Sequence, residues 1–361
     1  MVGRLTLMGS GETAPGMVRV HRALLDHLGG PPRAVFLDTP AGFELGLDAI
    51  RARFQEYFER QLGVSLDICR FTSREASLQE QGAALQALAG ANYILAGPGS
   101  PTYAARQLAG SSVFDAVRHR WGAGAHLVFA SAAAIALSRF SLPVYEIYKV
   151  GRELHWAEGL DLLGPRGFPL AIVTHWNNAE GGTNDTRACF MGMERFGQLQ
   201  AILPPDVVVL GIDEHTACTL DMDGGQAEVR GKGGITILRG EVEERHPSGE
   251  VFPVDALQST TPTPAGAART IPRAEPASSP AAVGQASDDL AVLLQEAAAA
   301  AERAGPTDDE LGPLMEVFIE LRSALRERGE WALADGLRDR LLAVGIELRD
   351  TPEGTIWVRG R

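Results

Sequence analysis

Three side chains have the types and chain order for nucleophilic acyl transfer: Ser131, Glu146 and His175. A serine hydroxyl attacks a carbonyl only when a base takes its proton and a carboxylate orients that base. An apolar run at 127–130 stops at Ser131, and Ala132, Ala133, Ala134 and Ala136 follow at once. Four apolar residues suit a buried strand, and alanine is the strongest helix former. A strand turning sharply into a helix, with one serine at the turn, is a nucleophile elbow. Phe129 and Ala133 stand where the usual G-x-S-x-G pattern has glycine. A serine in a buried, alanine-rich helix is the other reading of the same residues. Acyl transfer also needs backbone N–H donors for the developing oxyanion. Ala132, one residue past the serine, and Gly99, in the turn Gly97-Pro98-Gly99, are the candidates.

These residues must be brought together by the elements around them. Short strand patterns at 4–8, 34–37, 64–69, 93–96, 127–130, 170–174 and 207–212 alternate with helical patterns at 17–28, 47–62 and 78–88. Such alternation predicts βαβ units and a doubly wound, mostly parallel sheet flanked by helices, an α/β fold. Ligands bind such sheets beyond the carboxyl ends of the strands. The turn Gly9-Ser10-Gly11-Glu12-Thr13, the Gly97–Gly99 turn and Ser131 are expected on that edge. His175 ends the 170–174 strand, expected in the same sheet as Ser131, and opens the most polar loop of the chain, 175–187. Shorter antiparallel strands around 217–238 are expected to finish this domain near residue 255.

Among 361 residues, 45% hydrophobic, the net charge is −13, which favours a solvated surface over a broad nucleic-acid or membrane face. Three cysteines without a C-x-x-C pair exclude a zinc ribbon and give no disulfide framework. His175, Glu180 and Asp185 have no recognised metal-ligand spacing, and neither a metal nor a cofactor is expected. The first residues lack the charged start and long apolar run of a signal peptide, so a cytoplasmic location is expected.

Five segments together resemble the dipeptidase E and cyanophycinase branch of the class I glutamine-amidotransferase-like fold. They are Gly9-Ser10-Gly11-Glu12, Gly97-Pro98-Gly99, the elbow at Ser131, the strand end at His175, and Gly211-Ile212-Asp213-Glu214-His215-Thr216-Ala217. The resemblance covers about residues 3–240. It implies a serine nucleophile at Ser131, completed by a histidine and a carboxylate further along, for which His175 and Glu146 best suit. Substrate contacts are expected from Gly11, Glu12, Asn177, Asn178, Arg187 and Glu214, on a small peptide or amide.

Composition changes after residue 255. The stretch 256–287 is rich in Pro, Ala, Ser and Thr and reads as a flexible linker. From 288 to 361 helical patterns return at 290–304, 309–328 and 331–343, closing on a hairpin at 345–358. The segments Trp331-Ala332-Leu333-Ala334-Asp335 and Gly345-Ile346-Glu347-Leu348-Arg349-Asp350 are similar to the C-terminal end of bacterial cysteinyl-tRNA synthetases, over about 310–358. The signatures His-Ile-Gly-His and Lys-Met-Ser-Lys-Ser of those enzymes are absent, so the chain is not expected to aminoacylate. Contact with tRNA or with protein is the expectation for this module. Two functions follow from the whole: a serine hydrolase of an amide, peptide or isopeptide bond, or a non-catalytic binding domain associated with tRNA or a synthetase.

Overall fold

A computed structural model describes residues 2–259, the hairpin strands at 346–351 and 354–359, and six further positions between 315 and 341. The chain divides into two compact units, Met1–Arg269 and Thr270–Arg361. The linker and the three helical patterns of the C-terminal part lie largely outside the described residues.

In the first unit the elements run β1 (Leu5–Met8), α1 (Val18–Leu25), β2 (Ala34–Leu37), α2 (Leu47–Tyr57), β3 (Leu66–Cys69), α3 (Leu78–Ala89), β4 (Tyr93–Ala96), α4 (Pro101–Leu108), α5 (Ser112–Gly122) and β5 (His126–Ala130). Then come α6 (Ala132–Ala136), the short pair β6 (Phe140–Ser141) and β7 (Ala157–Glu158) with α7 (Val144–Tyr148) between them, β8 (Leu170–Val173) and α8 (Met193–Ala201). β9 (Val208–Ile212), β10 (Thr216–Asp221), β11 (Gln226–Gly231), β12 (Gly234–Arg239), β13 (Val242–Pro247) and β14 (Val251–Pro253) complete it. In the second unit β15 (Ile346–Thr351) and β16 (Gly354–Arg359) pair antiparallel, the hairpin read from the sequence.

The helix starts are written locally. Ser77 and Glu80 form a reciprocal capping box on α3, and Ser100 caps α4 with Pro101 in its first turn. The central strands β1, β4 and β5 alternate between two cores. Leu5, Leu7, Ile94, Ala96, Leu127 and Phe129 face one, with Val113, Val117 and Trp121 of α5. Tyr93, Leu95, Val128 and Ala130 face the other, with Val20, Leu24, Phe54 and Phe58 of the α1 and α2 region. β2 and β4 are buried on both faces, so they read as unbroken apolar runs.

The main sheet has eight strands in the order β14-β11-β10-β1-β5-β4-β2-β3. β1, β5, β4, β2 and β3 are mutually parallel, with Met8 opposite Ala130 and Ala96 opposite Phe129. The turns after β1, β4 and β5 therefore share one edge. The antiparallel strands expected around 217–238 include β10 and β11, which extend this sheet from β1. One expectation changes here. The strand that delivers His175, β8, belongs to a second sheet of order β13-β12-β9-β8, not to the sheet of Ser131. The β1–β10 ladder runs one step past β1, since the Gly9 N–H bonds the Thr216 carbonyl at 2.9 Å.

Candidate active site

Ser131 sits between β5 and α6 with φ of 50° and ψ of −121°. A non-glycine residue with positive φ is strained and persists only where its surroundings over-determine it. Here the Ser131 N–H is held by the Met8 carbonyl at 3.0 Å and the Ala133 N–H by Gly97 at 3.3 Å. Phe129 is a buried strand residue and Ala133 packs into the same core, so the elbow closes without either glycine.

The Ser131 hydroxyl lies 3.0 Å from His175 Nε2, and His175 Nδ1 lies 2.9 Å from Glu214 Oε1. A carboxylate only accepts, so Nδ1 carries the proton and Nε2 is left to take one from the serine. Glu214 also accepts from Asn178 Nδ2 at 3.0 Å, and its own N–H is fixed by Asn177 Oδ1 at 2.8 Å. Burial works to raise the Glu214 carboxyl, but the His175 and Asn178 hydrogen bonds outweigh it and hold the group below its ordinary value.

Glu146 is the correction. Both ring nitrogens of His175 are taken by Ser131 and Glu214, while Glu146 Oε1 accepts from the Thr102 hydroxyl at 2.5 Å. Its other oxygen is buried without a partner. Glu146 lies closer in sequence to Ser131, but the loop from β9 into β10 brings Glu214 onto the imidazole.

The loop carrying His175 is anchored by Trp176. Its N–H bonds the Ile212 carbonyl at 3.0 Å, its indole lies on Gly211, where a Cβ would collide with the ring, and Phe196 meets it edge-on at 5.0 Å. That fixes β8 and β9 in register and puts His175 and Glu214 side by side. The remaining expected contacts divide. Gly99, with φ of 141°, and Ala132 line the cavity in front of Ser131. Ala132 opens a helix, so its N–H has no intrahelical acceptor. Gly11 presses against the His215 imidazole, and Glu12 is buried beside Gly97, its carboxyl raised by that burial. Neither lines the cavity. Asn177 and Asn178 position Glu214, and Arg187 is spent on an exposed pair with Asp185 at 2.8 Å.

The cavity measures about 430 Å³. Beyond the residues already named, Ile135, Val144, Tyr145, Tyr148 and Phe190 give it apolar walls, with Lys149 and Glu180 as its charges. One rim is unusual. Ala188, Cys189 and Phe190 have φ of 52°, 56° and 69°, three consecutive left-handed residues without a glycine. Each costs roughly 1–2 kcal/mol. They are held by hydrogen bonds from Ala188 to Trp176, from Cys189 to His175 and from Phe190 to Thr186. Burial pushes the Cys189 thiol up to about 12, so it stays protonated and inert beside the serine. Tyr145 and Tyr148 of the apolar wall fall in the aromatic segment 143–151. Nothing in the sequence signalled the left-handed turn.

Among the described residues, no group of three or more His, Cys, Asp or Glu side chains could hold a metal, and no helix is long and apolar enough to cross a membrane.

No family model matches the chain. The structure of a peptidase from an acI-B1 Actinobacterium superposes with a TM-score of 0.58 at 23% identity, over 70% of this chain and 97% of that one. The two share the α/β fold. The cysteine–tRNA ligase of Petrotoga mobilis is 54% identical over 48 residues, 13% of this chain and 10% of the ligase. That of Sodalis glossinidius is 37% identical over 106 residues, 29% of this chain and 20% of the ligase. The chain thus spans a fifth or less of these two ligases, consistent with a synthetase-like region at its C-terminal end.

Proposed function

We propose that the first unit is a serine hydrolase of peptide or amide bonds, with Ser131 as nucleophile, His175 as general base and Glu214 as the carboxylate that orients it. The observation that carries this is the continuous relay from the Ser131 hydroxyl through both imidazole nitrogens to Glu214, set on a strained elbow. In the first step the Ser131 oxygen bonds to the substrate carbonyl carbon and its proton passes to His175 Nε2. The carbonyl oxygen becomes an oxyanion facing the Ala132 and Gly99 N–H groups. Collapse breaks the C–N bond, the leaving nitrogen takes the proton from His175, and water repeats the sequence on the acyl-serine. The shared fold with a peptidase adds support.

A fluorophosphonate probe tests the reading. Stoichiometric labelling at Ser131, lost in Ser131→Ala with the fold intact, is the expected result. A folded protein that neither labels nor hydrolyses any peptide would leave the non-catalytic binding domain as the function.

For the second unit we propose an interaction with tRNA or with a synthetase-associated protein, supported by its likeness to part of the cysteine–tRNA ligases. Full-length protein is expected to shift tRNA in a gel. A full-length protein that neither shifts tRNA nor retains a synthetase on an affinity column would sink this assignment.

A further inference from the structure

The catalytic cavity does not end at its aromatic wall. A second cavity of about 750 Å³ lies against it, and Tyr148, Glu180, Gly181, Thr186 and Phe190 line both. The partition is a pair of rings, Tyr148 and Phe190, with centroids 5.2 Å apart and planes tilted by 33°. Phe190 also stands 6.2 Å from the His175 imidazole. It is held there by the left-handed turn, whose hydrogen bonds run to the backbone of His175 and Thr186. Thr186 in turn accepts from the Gly181 N–H at 3.1 Å and donates to the Asn178 carbonyl at 3.4 Å. The wall between the cavities is therefore tied to the residues that hold Glu214. Strain of this kind concentrates where geometry serves a ligand.

The two chambers differ in chemistry. The inner one has mostly apolar walls with Lys149 and Glu180 as its charges, whereas the outer one adds Asn184, Asp185, Glu194 and Arg195. A pocket of a few hundred Å³ takes a small-molecule-sized ligand on its own. A continuous outer chamber with polar walls suits the hydrated continuation of a chain. We propose that the substrate is an oligopeptide threading both cavities, with Tyr148 and Phe190 gripping the residue beside the scissile bond, so that oligopeptides are cleaved in preference to dipeptides. This rests on the hydrolase reading above.

The test compares random-sequence libraries of dipeptides and pentapeptides, with new amino termini counted by mass spectrometry, on the full-length protein. Two variants, Glu194→Trp and Asn184→Trp, place an indole in the outer cavity from exposed positions that do not line the inner one. Pentapeptide turnover is expected to exceed dipeptide turnover by about tenfold, and at least one variant should cancel most of that advantage without changing dipeptide turnover. Fluorophosphonate labelling of Ser131 should be the same in all three proteins. Equal turnover of both libraries by wild type overturns the proposal, as does a pentapeptide advantage untouched by either variant. In both cases intact labelling leaves the hydrolase reading standing. Loss of labelling and of all hydrolysis in the wild type would remove both together.

Discussion

Replacing each of the two candidate carboxylates separately distinguishes the relay drawn here from the one its sequence first suggests. In Glu214→Gln the His175 Nδ1–H loses its ionised acceptor and Asn178 loses a charge-assisted bond, while the chain geometry stays almost isosteric. A neutral orienting group permits the wrong imidazole tautomer, and in a related relay that substitution costs about 10⁴-fold in turnover. Hydrogen bonds to a charged group contribute about 1.5–3 kcal/mol and neutral ones about 1. The difference, about 1–2 kcal/mol, corresponds to a Tm lower by roughly 2–8 °C for a domain of this size. Glu146→Gln keeps an acceptor for Thr102 and leaves His175 untouched, so labelling should stay within about threefold of wild type while stability falls by about 1 kcal/mol. The assay is the second-order rate of fluorophosphonate labelling, with thermal unfolding measured on the same samples. Glu146→Gln slowing the reaction more than Glu214→Gln would refute the assignment of the carboxylate. So would wild-type labelling in Glu214→Gln.

His175→Gln should cost as much activity as Ser131→Ala, and the double variant little more, because members of a nucleophile–base unit are strongly non-additive. Independent, multiplicative losses would show that the two do not act together. Gly99→Ala is expected to lower Tm and slow labelling, since its backbone has φ of 141° and an added Cβ would overlap the Pro40 carbonyl. Unchanged labelling in a folded Gly99→Ala protein would remove this turn from the oxyanion site. His21 is buried, and burial lowers its pKa to about 4 against the bond it makes to the Glu12 carbonyl. The unfolded chain binds that proton below about pH 6.5 and the folded one does not, so stability is full above that pH and falls toward about pH 4, by about 3 kcal/mol in all. Urea unfolding from pH 7 to 5 should therefore show a steeper loss in wild type than in His21→Gln. Equal slopes would mean that His21 is protonated in the fold. The lowered carboxyl of Glu214 has its own window: its stabilisation is present above the ordinary carboxyl range and lost as pH falls through the lowered value.

Much of the fold is local, and so was legible. β2 and β4 fall on the apolar runs read at 34–37 and 93–96, because strands buried on both faces leave no polar break in their pattern. Ser131 and His175 were legible for a related reason: each ends an apolar run at a point where the chain must turn. Their chain separation, 44 residues, says nothing of the 3.0 Å between them. That distance depends on β8 pairing with β9 in a separate sheet, and on Trp176 lying over Gly211. The same pairing decides the carboxylate. Glu146 and Glu214 are equivalent as residue types, and the chain order serine, acid, histidine favoured Glu146, whose carboxylate meets Thr102 and not His175. Local sequence determined the strands, the caps and the serine at its elbow, since those depend on neighbouring residues and hydrophobic period. Tertiary structure decided which acid meets the histidine, which asparagines hold it and where Phe190 stands, because such contacts depend on strand pairing between segments whose sequences carry no mark of each other.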